Sequence, residues 1–135
     1  MSLYDKPKRC RILKILAVDD NPDIIKLVQL TVEVMGHEFE SAGGGVEGLE
    51  KIKETKYDMV FLDLSMPDFT GMDVIESLEK DGTIKDQHII LFTASFLGMG
   101  ELEEELIKKG IHSVLAKPAD IDKIMDKINS IEAML

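Results

Sequence analysis

Short apolar runs alternate with longer amphipathic stretches five times along this chain. Residues 12–18 form a nearly continuous apolar run of strand length. Asn21 can cap the helix that follows, with Pro22 at its first position. Ile24, Leu27, Val28, Thr31 and Met35 recur at helical spacing on one face, and Gly36 ends that helix. Residues 37–41 predict a short, weaker strand. Gly43-Gly44-Gly45 reads as a turn, since it lacks the Gly-Lys-Ser/Thr ending of a nucleotide-binding loop. Val46, Leu49, Ile52 and Lys53 continue as a second helix. Met59–Leu62 is the third strand. Gly71 opens a helix carrying Met72, Ile75 and Leu78, which closes at Asp81-Gly82. Residues 88–92 are a very apolar fourth strand. Residues 101–109 place acids first and lysines last, the order a helix dipole favours, and Gly110 is the stop. Ser113–Ala116 is the fifth strand. Asp120 or Asp122 then starts a last helix with Ile121, Ile124, Met125, Ile128 and Ile131 on one face.

Strands and helices in strict alternation predict right-handed crossovers and a parallel sheet covered on both faces, an α/β fold. At 135 residues, without an internal repeat or linker, the chain is expected to be one domain over residues 11–135, preceded by a flexible basic arm over residues 1–10. The composition, 44% hydrophobic and 31% charged, is that of a soluble globular protein. No apolar stretch approaches the roughly 20 residues that cross a bilayer, and the first residues lack a signal-peptide core. Both observations predict a cytoplasmic protein without membrane contact. A lone Cys10 agrees, because it cannot close an internal disulfide.

The net charge of −10 is unevenly spread. Five of the 16 basic residues, but only one of the 26 acids, lie in the first 14 positions, which leaves 11 basic and 25 acidic residues in the body. An acidic body speaks against direct nucleic-acid binding, which needs Lys and Arg on phosphates.

Polar groups gather where the strands end. The first strand gives Asp19 and Asp20, the third Asp63, the fourth Thr93, and the fifth Lys117-Pro118. If the strands are parallel, all meet at one carboxyl edge, where open α/β sheets bind ligands. Taken singly, the acids could be capping or turn residues, the threonine a strand end and the lysine a surface charge. Together they suggest a site. Three neighbouring carboxylates repel one another and call for a cation, and all-oxygen donors favour a hard ion such as Mg²⁺. Lys117 suits a phosphate or a carboxylate, and Thr93 offers a hydroxyl donor. Such a set would stabilise a phosphoryl group in transfer onto Asp63. His37, His88 and His112 are scattered and read as surface or edge residues, and the eight Met as core filler.

On these residues the chain resembles the receiver domains of two-component response regulators. The matching pieces are Val18-Asp19-Asp20, Leu62-Asp63-Leu64-Ser65-Met66-Pro67 with Gly71, Phe92-Thr93-Ala94 and Ala116-Lys117-Pro118, in order across about residues 11–134. The resemblance implies a flavodoxin-like (βα)5 doubly wound fold with strand order 2-1-3-4-5. It implies that Asp63 accepts phosphoryl from a phosphohistidine of a histidine kinase or phosphotransfer protein. Asp20 and Asp63 would hold Mg²⁺ through side chains, Ser65 through its backbone carbonyl and Asp19 mainly through water. Lys117 would pair with Asp63 or its phosphate, Thr93 would turn inward to a phosphate oxygen, and Lys117–Pro118 would be cis. A downstream protein target or a separate output domain would read the result, and a homodimer is compatible with the family.

Some positions depart from the family pattern. An aromatic residue commonly stands three before the lysine and another after Lys-Pro, where this chain has Val114 and Ala119. The gap from Thr93 to Lys117 is about two residues longer than usual, with the excess near Phe96-Leu97-Gly98-Met99-Gly100. That segment is expected to carry output in place of a rotating ring. Two other functions compete. An aspartyl-nucleophile phosphatase would carry a second Asp two residues after the first, where this chain has Ser65. A degenerate receiver would act only as an interaction module, against which the complete set Asp20, Asp63, Thr93 and Lys117 argues.

Overall fold

The computed structural model describes residues 11–94 and 100–135. Cys10, the basic arm over residues 1–10 and the loop residues Phe96, Leu97, Gly98 and Met99 lie outside the described residues. Five strands, β1 (Lys14–Val18), β2 (Glu38–Ala42), β3 (Met59–Leu62), β4 (Ile89–Thr93) and β5 (Ser113–Ala116), alternate with five helices, α1 (Pro22–Val34), α2 (Gly45–Glu54), α3 (Gly71–Lys80), α4 (Gly100–Lys109) and α5 (Ile121–Met134). The strands pair in parallel in the order β2-β1-β3-β4-β5. This is the flavodoxin-like order expected above.

Side chains along a strand point alternately to its two faces, so the apolar runs supply two cores. Leu16, Val18, Val60, Leu62, Ile89 and Leu91 face Ile52 of α2, Val74, Ile75 and Leu78 of α3 and Leu106 of α4. Ile15, Ala17, Met59, Phe61, Ile90, Phe92 and Leu115 face Val28 and Val32 of α1 and Ile124, Ile128 and Ile131 of α5. Phe61 and Phe92 meet edge to face, with centroids 6.1 Å apart. The central strands are apolar on both sides because both sides are covered.

The elements differ from the sequence pattern at a few ends. β1 starts two residues later than expected, and Ile12 is exposed. There the Leu13 N–H donates to His37 Nδ1 at 3.0 Å, so an imidazole takes the place of a ladder carbonyl. β2 lies one residue later than expected, in register from Lys14↔Glu38 to Val18↔Ala42. Gly45 belongs to α2 rather than to the preceding turn, and Val46 points to solvent. Val32 and Val74 are core residues that the periodicity left out. A 3-10 turn over Ile84–Asp86, which buries Ile84, was not expected either. Asp120, not Asp122, caps α5, accepting the Lys123 N–H at 3.0 Å. Ile121 is exposed, and the buried stripe of that helix is Ile124, Ile128 and Ile131.

Candidate functional site

The hydrogen-bond ladder runs on past the strands and fixes the residues that follow them. Val18 is level with Leu62, so Asp19 and Asp63 leave the sheet side by side. The Asp63 N–H donates to the Val18 carbonyl at 3.1 Å, and the Asp19 N–H to that of Ala42 at 3.1 Å. Across the sheet, the Lys117 N–H donates to the Thr93 carbonyl at 3.0 Å. Alternation then selects a face. Ala17, Phe61 and Leu115 belong to the core under α1 and α5, and Asp19, Asp63 and Lys117 each follow two residues later. Thr93 has the opposite parity and is fully buried.

The structure brings Asp19, Asp20, Asp63 and Lys117 together. Asp19 and Asp63 are 4% and 5% exposed, whereas Asp20 stands in solvent. One carboxylate oxygen from each of the three acids lies within 4.8 Å of the others. Asp19 Oδ1 accepts the Asn21 N–H at 2.9 Å, and Lys117 Nζ donates to Asp19 Oδ2 at 2.6 Å. The same ammonium is 3.7 Å from Asp63 Oδ1, so the lysine sits closer to Asp19 than to the acid the resemblance had assigned it. It also lies over the Phe92 ring, 5.4 Å from the centroid. Lys117–Pro118 is cis. Burial raises the pKa of Asp63 above the ordinary carboxylate value, and the Asp19 charge adds to this, while Lys117 and the Ser65 N–H oppose it.

The loop between β3 and α3 holds Asp63 in place. Ser65 donates its N–H to Asp63 Oδ1 at 3.3 Å. Met66 is buried and anchors the loop in the core beside α3. The Phe69 N–H then donates to the Pro67 carbonyl at 2.8 Å, closing a tight turn on Asp68, whose φ is +66°. Phe69 leans on Gly45 at the start of α2, where a Cβ would collide with its ring and carbonyl. That contact ties two loops of the site together, and sequence reasoning missed it. It also missed the Asn21 N–H on Asp19, although a donor two residues after an Asp is the spacing of an Asx turn. Val114 packs with Leu102 and Leu106 of α4 in one core, and Ala119 packs against the other.

Residues 15–129 match the response regulator receiver domain. The chain belongs to that family. Receiver domains are the signalling modules of two-component systems. This one is 27% identical over 116 residues to the polar-differentiation response regulator DivK of Brucella anthropi, covering 86% of this chain and 93% of DivK. It is 26% identical over 120 residues to the DNA-binding dual master transcriptional regulator RpaA of Synechocystis sp., covering 87% of this chain and 48% of RpaA. The chain thus spans about half the length of that relative. The fold matches the response regulator TrrA of Thermotoga maritima in complex with Mg²⁺-BeF, with a TM-score of 0.73 at 28% identity, over 89% of this chain and 99% of that one. In the receiver domain described here, the acid cluster is a set of hard oxygen donors of the kind Mg²⁺ takes. Among the described residues no helix is long and apolar enough to cross a membrane.

Proposed function

We propose that this receiver domain is a phosphorylation-driven switch in which Asp63 accepts a phosphoryl group from the phosphohistidine of a sensor kinase or phosphotransfer protein. What supports the reading most is the pairing of a buried Asp63 carboxylate with a cation, Lys117, 3.7 Å away at the carboxyl edge of the sheet. In the transfer, an Asp63 oxygen forms the new bond to phosphorus. The bond from phosphorus to the donor's imidazole nitrogen breaks, and its electron pair returns to that nitrogen. Asp20 and Asp63 would hold Mg²⁺ by side chain, Ser65 by its carbonyl and Asp19 through water. When bound, the ion supplies neutralising charge to the phosphoryl oxygens. Lys117 offers a second positive charge, and the Thr93 hydroxyl a donor to a phosphoryl oxygen.

The acyl phosphate would then alter the surface around α4, β5 and α5. A downstream protein target or a separate output domain would read it, in the cytoplasm. Likeness to DivK across nearly its whole length favours a stand-alone regulator, and likeness to half of RpaA favours a longer one.

Intact-mass measurement after incubation with Mg²⁺ and a small phosphodonor tests the reading. One labile phosphoryl adduct is expected, absent from Asp63→Asn. Steady hydrolysis of many phosphomonoesters would support an aspartyl-nucleophile phosphatase instead. No adduct at any Mg²⁺ concentration would leave an interaction module.

A further inference from the structure

We infer that the amino edge of the sheet carries a second binding site, a cleft beside Gln87 that takes a guanidinium group. The inference is independent of the phosphoacceptor reading, because the cleft is built from the segments that enter β3 and β4, across the sheet from Asp63. Gln87 is 8% exposed, and no hydrogen-bond donor among the described residues reaches its buried Oε1. No other buried side-chain nitrogen or oxygen among the described residues is left in this way. The residue is held by its backbone, whose N–H donates to the Ile84 carbonyl at 3.2 Å as the 3-10 turn closes. A buried acceptor without a donor bears the full cost of leaving water. Oε1 therefore calls for a donor from outside the chain.

Gln87 lines a cleft of about 330 Å³, the lower end of the size of small-ligand sites. Ile52 and Leu78, both buried, give it an apolar wall. Two helix ends converge on it, since α2 closes on Thr55 and α3 on Asp81, and both caps line the cleft. Helix carboxyl ends carry partial negative charge and carbonyls that lack partners within the helix. Lys53 of α2 and Asp81 bridge these ends at 3.1 Å and offset each other. The other charged residues of the lining are Glu54 and Asp86 against Lys56, two acids to one lysine. Dipole ends, acids and the free acceptor all favour a cation with N–H donors. A guanidinium fits better than an ammonium. Its planar fork can serve Oε1 and a carboxylate together, and it gives up its weaker hydration more readily beside a buried oxygen. The group can belong to a free small molecule or to an arginine side chain of a partner.

Titration with ethylguanidinium at fixed ionic strength, followed by NMR, tests this. The Gln87 side-chain amide signal should shift and saturate, with a Kd of about 10 mM or tighter. No saturation by about 50 mM means that water alone fills the cleft and overturns the inference. Shifts confined to Asp19, Asp20 and Asp63 would place the cation at the other edge and overturn it too. Ethylammonium should bind about fivefold more weakly or worse, and equal binding overturns the choice of guanidinium. Gln87→Leu, which removes the acceptor, should weaken ethylguanidinium binding about tenfold, read from the backbone amides of residues 53–56 and 81–86. Unchanged affinity in that variant overturns the role of Gln87. Should it fail to fold, the exposed Asp86→Asn decides: affinity should fall about two- to threefold, and an unchanged value overturns the inference. A blocked Gly-Arg-Gly peptide separates the two sources. Binding about tenfold tighter than ethylguanidinium assigns the site to a partner's arginine, and equal binding assigns it to a free small molecule. Either result supports the site.

Discussion

Gly71 has no room for a side chain. A Cβ there would collide with the Asp63 carbonyl oxygen and the Leu64 Cα, and the Gly71 N–H donates to the Leu64 carbonyl at 3.2 Å. The first turn of α3 is pressed against the backbone that carries Asp63. Gly71→Ala should therefore cost about 2–3 kcal/mol in urea unfolding, the range of an overpacked core, and slow adduct formation as well. Asp63 itself is held at a cost. Burial and the Asp19 charge raise its pKa above the unfolded value. The folded state thus binds the proton more tightly than the unfolded one. This carboxylate weakens the metal-free fold as pH rises through its titration, and at all higher pH. Asp63→Asn should raise the Tm of the metal-free protein by a few degrees at neutral pH, checked by calorimetry, and a lowered Tm would contradict it.

The helix that follows Asp63 is fastened by its own first residues. Thr70 accepts the Asp73 N–H through its hydroxyl at 3.2 Å, and Asp73 accepts the Thr70 N–H at 2.8 Å. This reciprocal pair is a capping box, and it satisfies donors that a helix start leaves open. Thr70→Ala should cost about 1 kcal/mol in chemical unfolding. Since α3 begins where the loop after Asp63 ends, the same variant should form the proposed adduct more slowly, a readout that a remote cap would leave unchanged. At the other edge, Leu102 and Leu106 of α4 and Val114 of β5 belong to one apolar core. A β-branched residue thus sits in an apolar contact where the family commonly has a ring, so this element pair meets by aliphatic packing.

At the scale of the whole molecule, the two sides of the sheet have different loads. The carboxyl edge carries the charged site, and His112, just before β5, sits at the opposite edge. Its Nδ1 lies 3.0 Å from Ser113 Oγ, which also accepts from Lys127 Nζ at 3.0 Å. Burial lowers the His112 pKa, and the Lys127 and His88 charges add to this. The unfolded chain therefore binds the proton more readily, with a pKa of about 6.5. The contribution of neutral His112 is fully present above that value and is lost as pH falls below it. The urea midpoint should drop between about pH 7.5 and 5.5, and the drop should be smaller in His112→Gln. An identical drop in both proteins would remove His112 from the account.

The sequence by itself determined which residues reach the site and on what fold. Each central strand is an apolar run that stops on a polar group, and strict alternation with helices leaves only a parallel sheet. Asp19, Asp63, Thr93 and Lys117 therefore had to arrive at one edge. Strand ends were less legible, because the side chain that ends a ladder can come from elsewhere, as His37 does at Leu13. Only the tertiary structure decided the pairings inside the site. Lys117 and Asp19 are 98 residues apart, and their 2.6 Å contact against 3.7 Å to Asp63 depends on how separate loops pack. Gly45 under Phe69 is of the same kind. Periodicity states which face a residue takes, but a difference of about an ångström between two carboxylates is set by packing, and it is that difference which seats the lysine.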